Sequence, residues 1–345
     1  MGVVAVDVGG TFTDVVYLDD SGSIRVSKVP TTPRAPEEGV ARALESVSPR
    51  PPFSVLHATT IATNAILGQV GLELPRVALV TTRGFRDIIE IGRQNRPRLY
   101  DLFFTRPRPL VPRELRYEVS ERTLASGEVA EKVNVGELEA AAADMKSKGV
   151  ESVAISFLHS YANPTNERRA KDVLRRAFAY VTASHEVAPE PREYERTSTA
   201  VVNAALQPIV SRYLGRLGEM MRGRGASSLY VMSSAGGLVD VGEASQRPVQ
   251  LIESGPAAGA IGAAELARRL GLEYAVSFDM GGTTAKASTA VRGELEVVDE
   301  YEVGGEVHHG RVVKGSGYPV LFPFIDLAEV SAGGGTIIWR DEAGA

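Results

Sequence analysis

Residues 3 to 18, VVAVDVGGTFTDVVYL, hold two apolar runs of strand character separated by a patch of glycine, threonine and aspartate. Gly-Gly between two alternating runs is a hairpin signal. A turn alone does not account for Asp7, Thr11, Thr13 and Asp14, which crowd hydroxyls and carboxylates into one bend. Beyond it, the apolar spacing changes repeatedly between strand and helix periods. PEEGVARALESV opens on a proline and two acidic residues and carries apolar residues at helical spacing, so it predicts a helix. VGELEAAAADMKSKG predicts a helix stopped by glycine and feeding the apolar run VESVAISFLH, a predicted strand. NPTNERRAKDVLRRAF predicts a helix behind an asparagine cap and a proline, with a strand at YVTASHEV. A long helix bent near Pro208 is expected over EYERTSTAVVNAALQPIVSRYLGRLGEMM, leading into SLYVMSSAGGLV. GPAAGAIGAAELARRLG and YAVSFDMGGTTAKASTAV continue the alternation.

Such alternation predicts an α/β fold with helices packed over sheets. At 345 residues the chain has room for two domains. Proline and charge interrupt the periodicity over residues 186 to 194, which divides the chain into residues 1–190 and 191–345. A formal charge of −5 offers no general basic surface, so no nucleic-acid partner is expected. The absence of cysteine removes disulfides, thiolate nucleophiles and cysteine-held metals. No apolar run approaches the roughly 20 residues that span a bilayer, and no basic-then-apolar leader opens the chain. A cytoplasmic protein without a membrane partner is expected.

The bend at Asp7 to Thr11 has a second copy. Asp-x-Gly-Gly-Thr returns at Asp279 to Thr283, again between two β-like runs. Two copies in matching contexts favour a pair of facing sites over two unrelated turns. Glycines let consecutive backbone N–H groups converge on an anion, and threonine hydroxyls add donors. A carboxylate beside phosphate is repulsive unless a cation lies between them, and Mg²⁺, held directly or through its waters, supplies it. The residues therefore point to phosphate and magnesium, with Asp7 and Asp279 as metal ligands and Gly9, Gly10, Thr11, Thr13, Gly281, Gly282, Thr283 and Thr284 as the cradle. Lys286 stands where the first bend has Asp14 and is a candidate phosphate contact. Neither loop has Gly-x-Gly-x-x-Gly opening a helix, which disfavours a dinucleotide site.

DVGGTFTD and DMGGTTAK resemble the two phosphate loops of the ATPase superfamily that includes acetate and sugar kinases, heat-shock chaperones and actin. That resemblance implies a two-lobed, ribonuclease H-like ATPase fold with ATP between the lobes. ESGPAAGAIGAAE is similar to its connecting helix, where Gly255, Ala257, Ala258, Gly259 and Gly262 are read as tight helix packing. A closer resemblance is to the hydantoinase A, 5-oxoprolinase and acetone carboxylase family. It rests on VDVGGTFTDVV, HATTIATNAIL, TTRGFRDIIEIGRQNRPRLYDL, SHEVAPEPREYERTSTAVVNAAL, ESGPAAGAIGAA, FDMGGTTAK and DLAEVSAGGGTI, which run nearly the whole chain. It implies ATP-dependent activation of a cyclic amide, or carboxylation of a ketone, by an enzyme with a second, hydantoinase B-type subunit. Family members are longer, with the adenosine-binding segment beyond the second loop, so a fragment or a split subunit is expected. A sugar or acid kinase that releases a phosphorylated product and a nucleotide-gated, chaperone-like binding module remain the rival readings.

Several other residues stay open between two roles. His57, Thr59, Thr60, Thr63 and Asn64 either cap the helix that follows or line the cleft, and the resemblance favours the cleft for Thr59, Thr60 and Asn64. Arg93, Arg96 and Arg98 either recognise phosphate or carboxylate, with Arg93 and Arg98 the candidates, or belong to a solvated loop. His185 is read as structural. His308 and His309, adjacent in an extended segment, would point to opposite faces and do not make a metal site. SAGGGT at 331–336 is read as a motif beside the active cleft.

Overall fold

The computed structural model describes residues 1–69, 71–282, 284–308, 310–330, 332–337 and 339. Its first sheet has six strands in the order Leu238–Asp240, Ala226–Met232, Phe53–Thr59, Gly2–Val8, Phe12–Leu18 and Ile24–Pro30. The expected hairpin is there: Gly2–Val8 runs antiparallel to Phe12–Leu18, with Asp7 opposite Asp14 and Val8 opposite Thr13. Period two decides which side chains enter the core. Val4, Val6 and Val8 are buried on one face and meet Thr13, Val15 and Tyr17, while Asp7 and Asp14 lie on the other. Helix Pro36–Val47 covers this sheet with Val40, Ala43, Leu44 and Val47, and its limits match the predicted string.

A second sheet is wholly parallel, in the order Tyr180–Ala183, Ser152–Ser156, Val77–Thr82 and Arg116–Val119. Its central strands are buried at every position, as expected of a sheet covered on both faces. Helices Val135–Ser147 and Thr165–Leu174 pack into its core. The strand expected over YVTASHEV stops at Ala183, and Ser184–Val187 is a short helix instead. The buried Glu167 carboxylate accounts for this turn, since it accepts from the His185 N–H at 2.9 Å and from the Ser184 hydroxyl at 2.5 Å. It also takes His185 Nδ1 at 2.6 Å, in keeping with a structural histidine.

The long helix Glu193–Gly223 runs through Pro208 and serves both cores. Ala200, Val201, Ala204 and Ala205 pack with the second sheet, and Val202, Leu206, Val210, Tyr213 and Leu217 with the first. Residues 186 to 194 take in the end of the short helix, the link 188–192 and the start of this long one, and the chain then returns to the first sheet to add Ala226–Met232 beside Phe53–Thr59. A third sheet follows. Tyr274–Met280 and Ala285–Val291 form the second hairpin, with Asp279 opposite Lys286, and Ala328–Val330 adds to its inner strand. Helix Ser254–Arg269 packs against that hairpin and against Phe53–Thr59, so it lies between the first and third sheets. Among the described residues no helix is long and apolar enough to cross a membrane.

One polar link in the first core has a measurable consequence. His57 is buried, with Nδ1 donating to the Val6 carbonyl at 3.3 Å and Nε2 accepting from the Tyr213 hydroxyl at 2.9 Å. Burial holds its pKa down from 6.5 to about 4. In that interval the unfolded chain binds a proton that the folded chain refuses, so stability falls as pH falls. The contribution is complete above pH 6.5 and is lost by about pH 4, a change of about 3 kcal/mol. Other groups also titrate in this range, so the comparison is with His57→Gln: urea unfolding at pH 7 and pH 4.5 should show the natural chain losing about 3 kcal/mol more than the variant does.

Candidate functional site

The two glycine-threonine bends meet. In the first, Gly9 N–H closes the turn on Phe12 O at 3.0 Å, and in the second Gly281 N–H closes it on Thr284 O at 3.0 Å. Gly9 and Gly281 thus serve their own turns. Among the described residues the N–H groups of Gly10 and Gly282 have no backbone acceptor. A Cβ built on Gly282 would lie 3.0 Å from the Thr11 hydroxyl oxygen, so any side chain there would crowd Thr11 and glycine eases the close approach of the bends. Thr283 lies outside the described residues. The glycine-rich stretch joins the second bend by backbone bonds, Gly334 N–H to Gly281 O at 2.9 Å and Gly335 N–H to Gly282 O at 3.0 Å.

Helix Ser254–Arg269 brings its first turn to the same place. A Cβ on Gly255 would sit 3.3 Å from Asp7 Oδ1, while the Ser254 hydroxyl donates to Thr59 O at 2.9 Å. Tight helix packing therefore does not explain the small residues uniformly. Gly255 makes room for a carboxylate and Ala257 is buried, whereas Cβ atoms on Gly259 and Gly262 would meet open space.

The electrostatics of this junction are unfavourable without a cation. Water reaches Asp7, yet the surrounding protein pushes its pKa from 3.8 up to about 6, with the charges of Asp14 and then Asp279 adding to the rise. Lys28 acts the other way and is itself paired with Asp14 at 2.7 Å. Among the described residues no three carboxylate or imidazole groups converge as a metal cage. Such a donor set suits an ion that takes one or two carboxylates and completes its shell with phosphate oxygens and water.

The remaining candidates divide by position. Thr60 donates to Val8 O at 3.3 Å, and Asn64 Nδ2 donates to the Thr60 hydroxyl at 3.1 Å and stands 3.5 Å from a Cβ on Gly10. Both border the first bend. Thr59 is buried behind it, where its hydroxyl oxygen accepts from Ile61 N–H at 3.2 Å at the start of the short helix Ile61–Ile66. Thr13 is also buried, its hydroxyl 3.0 Å from that of Thr31, which in turn donates to Gly9 O at 2.9 Å. This places Thr13 under the bend as a brace. Thr13→Val should lower unfolding free energy by about 1 kcal/mol, while phosphate-ligand affinity stays within about twofold. A larger affinity loss at unchanged stability would make it a ligand after all.

Arg93 and Arg98 are not brought to the bends. Arg93 makes a two-pronged bond to Glu195 at 2.8 and 2.7 Å, and Arg98 pairs with Glu306 at 3.0 Å. Both guanidinium groups tie the segment they lie on to other elements. Lys286 is nearly buried and paired with Glu253, a residue that the sequence alone did not single out. His309 and Ser331 lie outside the described residues.

Comparison with known proteins agrees with the family-like strings. Residues 3–178 match the family described as hydantoinase/oxoprolinase N-terminal region, and residues 196–345 match hydantoinase/oxoprolinase. An uncharacterized protein of Methanocaldococcus jannaschii is 52% identical over 99% of this chain and 51% of its own. The caprolactamase subunit alpha of Pseudomonas jessenii is 31% identical over 98% of this chain and 49% of its own. The crystal structure of that organism's ATP-dependent caprolactamase superposes with a TM-score of 0.79 at 29% identity, over 99% of this chain and 49% of the other. A nucleotide-free acetone carboxylase structure superposes with a TM-score of 0.81 at 25% identity, with the same two coverages. The chain spans about half the length of these relatives.

Proposed function

The chain belongs to the hydantoinase/oxoprolinase family, and from that premise we propose that its two hairpins form the phosphate floor of an ATP-dependent enzyme that opens a cyclic amide. The observation that carries this reading is the meeting of the bends, with Gly282 against Thr11 and the charge of Asp279 acting on Asp7. In this reading the hairpins belong to two lobes of an actin-like, ribonuclease H-like ATPase; the division expected after residue 190 is moved, because Ala226–Met232 and Leu238–Asp240 complete the first hairpin's sheet and the second hairpin follows helix Ser254–Arg269.

Asp7 and Asp279 would hold Mg²⁺, directly or through water, and the ion would neutralise charge between carboxylates and phosphates. Gly10, Gly282, Thr11 and Thr284 offer N–H and hydroxyl donors to phosphate oxygens, aimed where charge gathers during transfer. Gly9 and Gly281 shape the turns that present them. The γ-phosphoryl group would pass to the carbonyl oxygen of the amide, leaving ADP and making the carbonyl carbon open to attack by water. A second, hydantoinase B-type subunit is proposed to complete the reaction, since the relatives above include a named alpha subunit. A reaction that consumes ATP supports a cytoplasmic setting.

The likeness to acetone carboxylase supports a second reading, in which bicarbonate and a ketone enolate accept the phosphoryl group. Phosphate release by the chain with its co-purifying subunit, challenged with hydantoin, 5-oxoproline, caprolactam, and ketone plus bicarbonate, separates the two. Stimulation by one cyclic amide together with a ring-opened acid is the expected result. No response to any of the four sinks the enzymatic reading.

A further inference from the structure

The corner formed by residues 253 to 255 touches both hairpins at once. Gly255 abuts Asp7 of the first. Ser254 bonds to Thr59 O, and Glu253 N–H donates to the Thr63 hydroxyl at 3.1 Å, which fixes the corner to the turn that borders the first bend. The Glu253 side chain reaches the second hairpin and pairs with Lys286, the residue opposite Asp279. Both members of this pair are buried, at 4% and 9% exposure. From the other side Glu329 Oε2 stands 3.8 Å from the ammonium and accepts from the Tyr301 hydroxyl at 3.3 Å.

Two features argue that this arrangement is more than packing. Glu253 sits at φ +62°, a left-handed backbone conformation in which glycine would be unstrained. A carboxylate kept in such a place points to a use for its side chain. Moreover, Lys286 is enclosed by two carboxylates, so its ammonium is already engaged and is not presented to a phosphate.

We propose that Glu253 is a positioning residue: through Lys286 it holds the second phosphate hairpin at a fixed distance from Asp7, so that both bends are aligned before the nucleotide arrives. The proposal rests on the reading that the hairpins bind one nucleotide. It reassigns Lys286 from phosphate contact to tie. Aligning donors ahead of binding acts on turnover more than on affinity, because misplaced groups lose transition-state contacts first.

The test uses the chain with its co-purifying subunit, with Mg-ATP affinity, phosphate release and thermal unfolding measured for each variant. Glu253→Gln keeps an acceptor oxygen but removes the charge. It should lower turnover by about tenfold and leave Mg-ATP affinity unchanged or tighter, because a negative charge beside the phosphates is gone. Lys286→Met should lower turnover similarly, and combining the two should add nothing, since both break the same tie. Lys286→Arg, which keeps a cation able to bridge the carboxylates, should retain turnover within about threefold and covers the case of a variant that folds poorly. Unchanged turnover in Glu253→Gln, losses that multiply in the double variant, or affinity and turnover falling in parallel with stability would each overturn the positioning role. An assembly of the natural chain with its co-purifying subunit that binds no Mg-ATP would overturn the nucleotide reading, and this coupling with it.

Discussion

Asp7→Asn is expected to lower ATP hydrolysis by at least roughly 100-fold while making the protein harder to unfold. The loss follows from removing a charge that the metal and the transferring phosphoryl group both need. The gain follows from the carboxyl's position: a pKa raised from 3.8 to about 6 means that folding holds an ionised Asp7 where ionisation is disfavoured. For an acid raised in the folded state, the penalty starts above pH 3.8 and is complete above about pH 6. Water reaches the group, so screening leaves about 1–2 kcal/mol of it at pH 7. Unfolding of the natural chain and of the Asp7→Asn variant at a series of pH values should show the variant more stable at pH 7 and the difference closing toward pH 4. Mg-ATP should stabilise the natural chain and not the variant. A variant less stable at neutral pH would show that Asp7 supports the fold, and persistent hydrolysis would remove it from the chemistry.

Asp279→Asn should cost hydrolysis about as much, again roughly 100-fold, although Asp279 stands on a different sheet and far away in sequence. The decisive variant is the double. Two ligands of one ion act as a unit, so Asp7→Asn with Asp279→Asn should be no worse than the poorer single change. Two independent phosphate sites would instead give losses that multiply. Phosphate-release rates for the four chains, at saturating and at limiting Mg²⁺, complete the cycle.

Both bends are legible in the sequence because a short repeated pattern sits inside period-two strands, and helix Pro36–Val47 is legible because its proline, acidic turn and apolar spacing agree. The brace at Thr13 is readable too. The alternation that turns Val15 and Tyr17 inward also turns Thr13 inward, so a ligand role for it conflicts with its own strand. Arg93 is not readable, because its partner Glu195 is 102 positions away and nothing local distinguishes a tied guanidinium from a free one. The same holds for Gly255 and Glu253. Their importance comes from a helix start lodged between two hairpins, which single-sequence periodicity does not report. The helix-forming turn at Ser184–Val187 escapes for a related reason: the carboxylate that organises it, Glu167, comes from another helix.

The first sheet gathers its strands from distant parts of the described chain, and Ser54 and Ser228, bonded at 2.9 Å across it, are 174 positions apart. During synthesis the ribosome therefore releases Phe53–Thr59 long before its neighbour Ala226–Met232 exists. For all that time an apolar strand edge is open to mispairing with other nascent chains. The parallel sheet, whose strands are all made in between, can close first and hold the waiting edge in a compact particle. Expression at reduced translation temperature or with added chaperone should favour soluble product for this reason, and the late pairing of distant strands should set the pace of refolding in vitro.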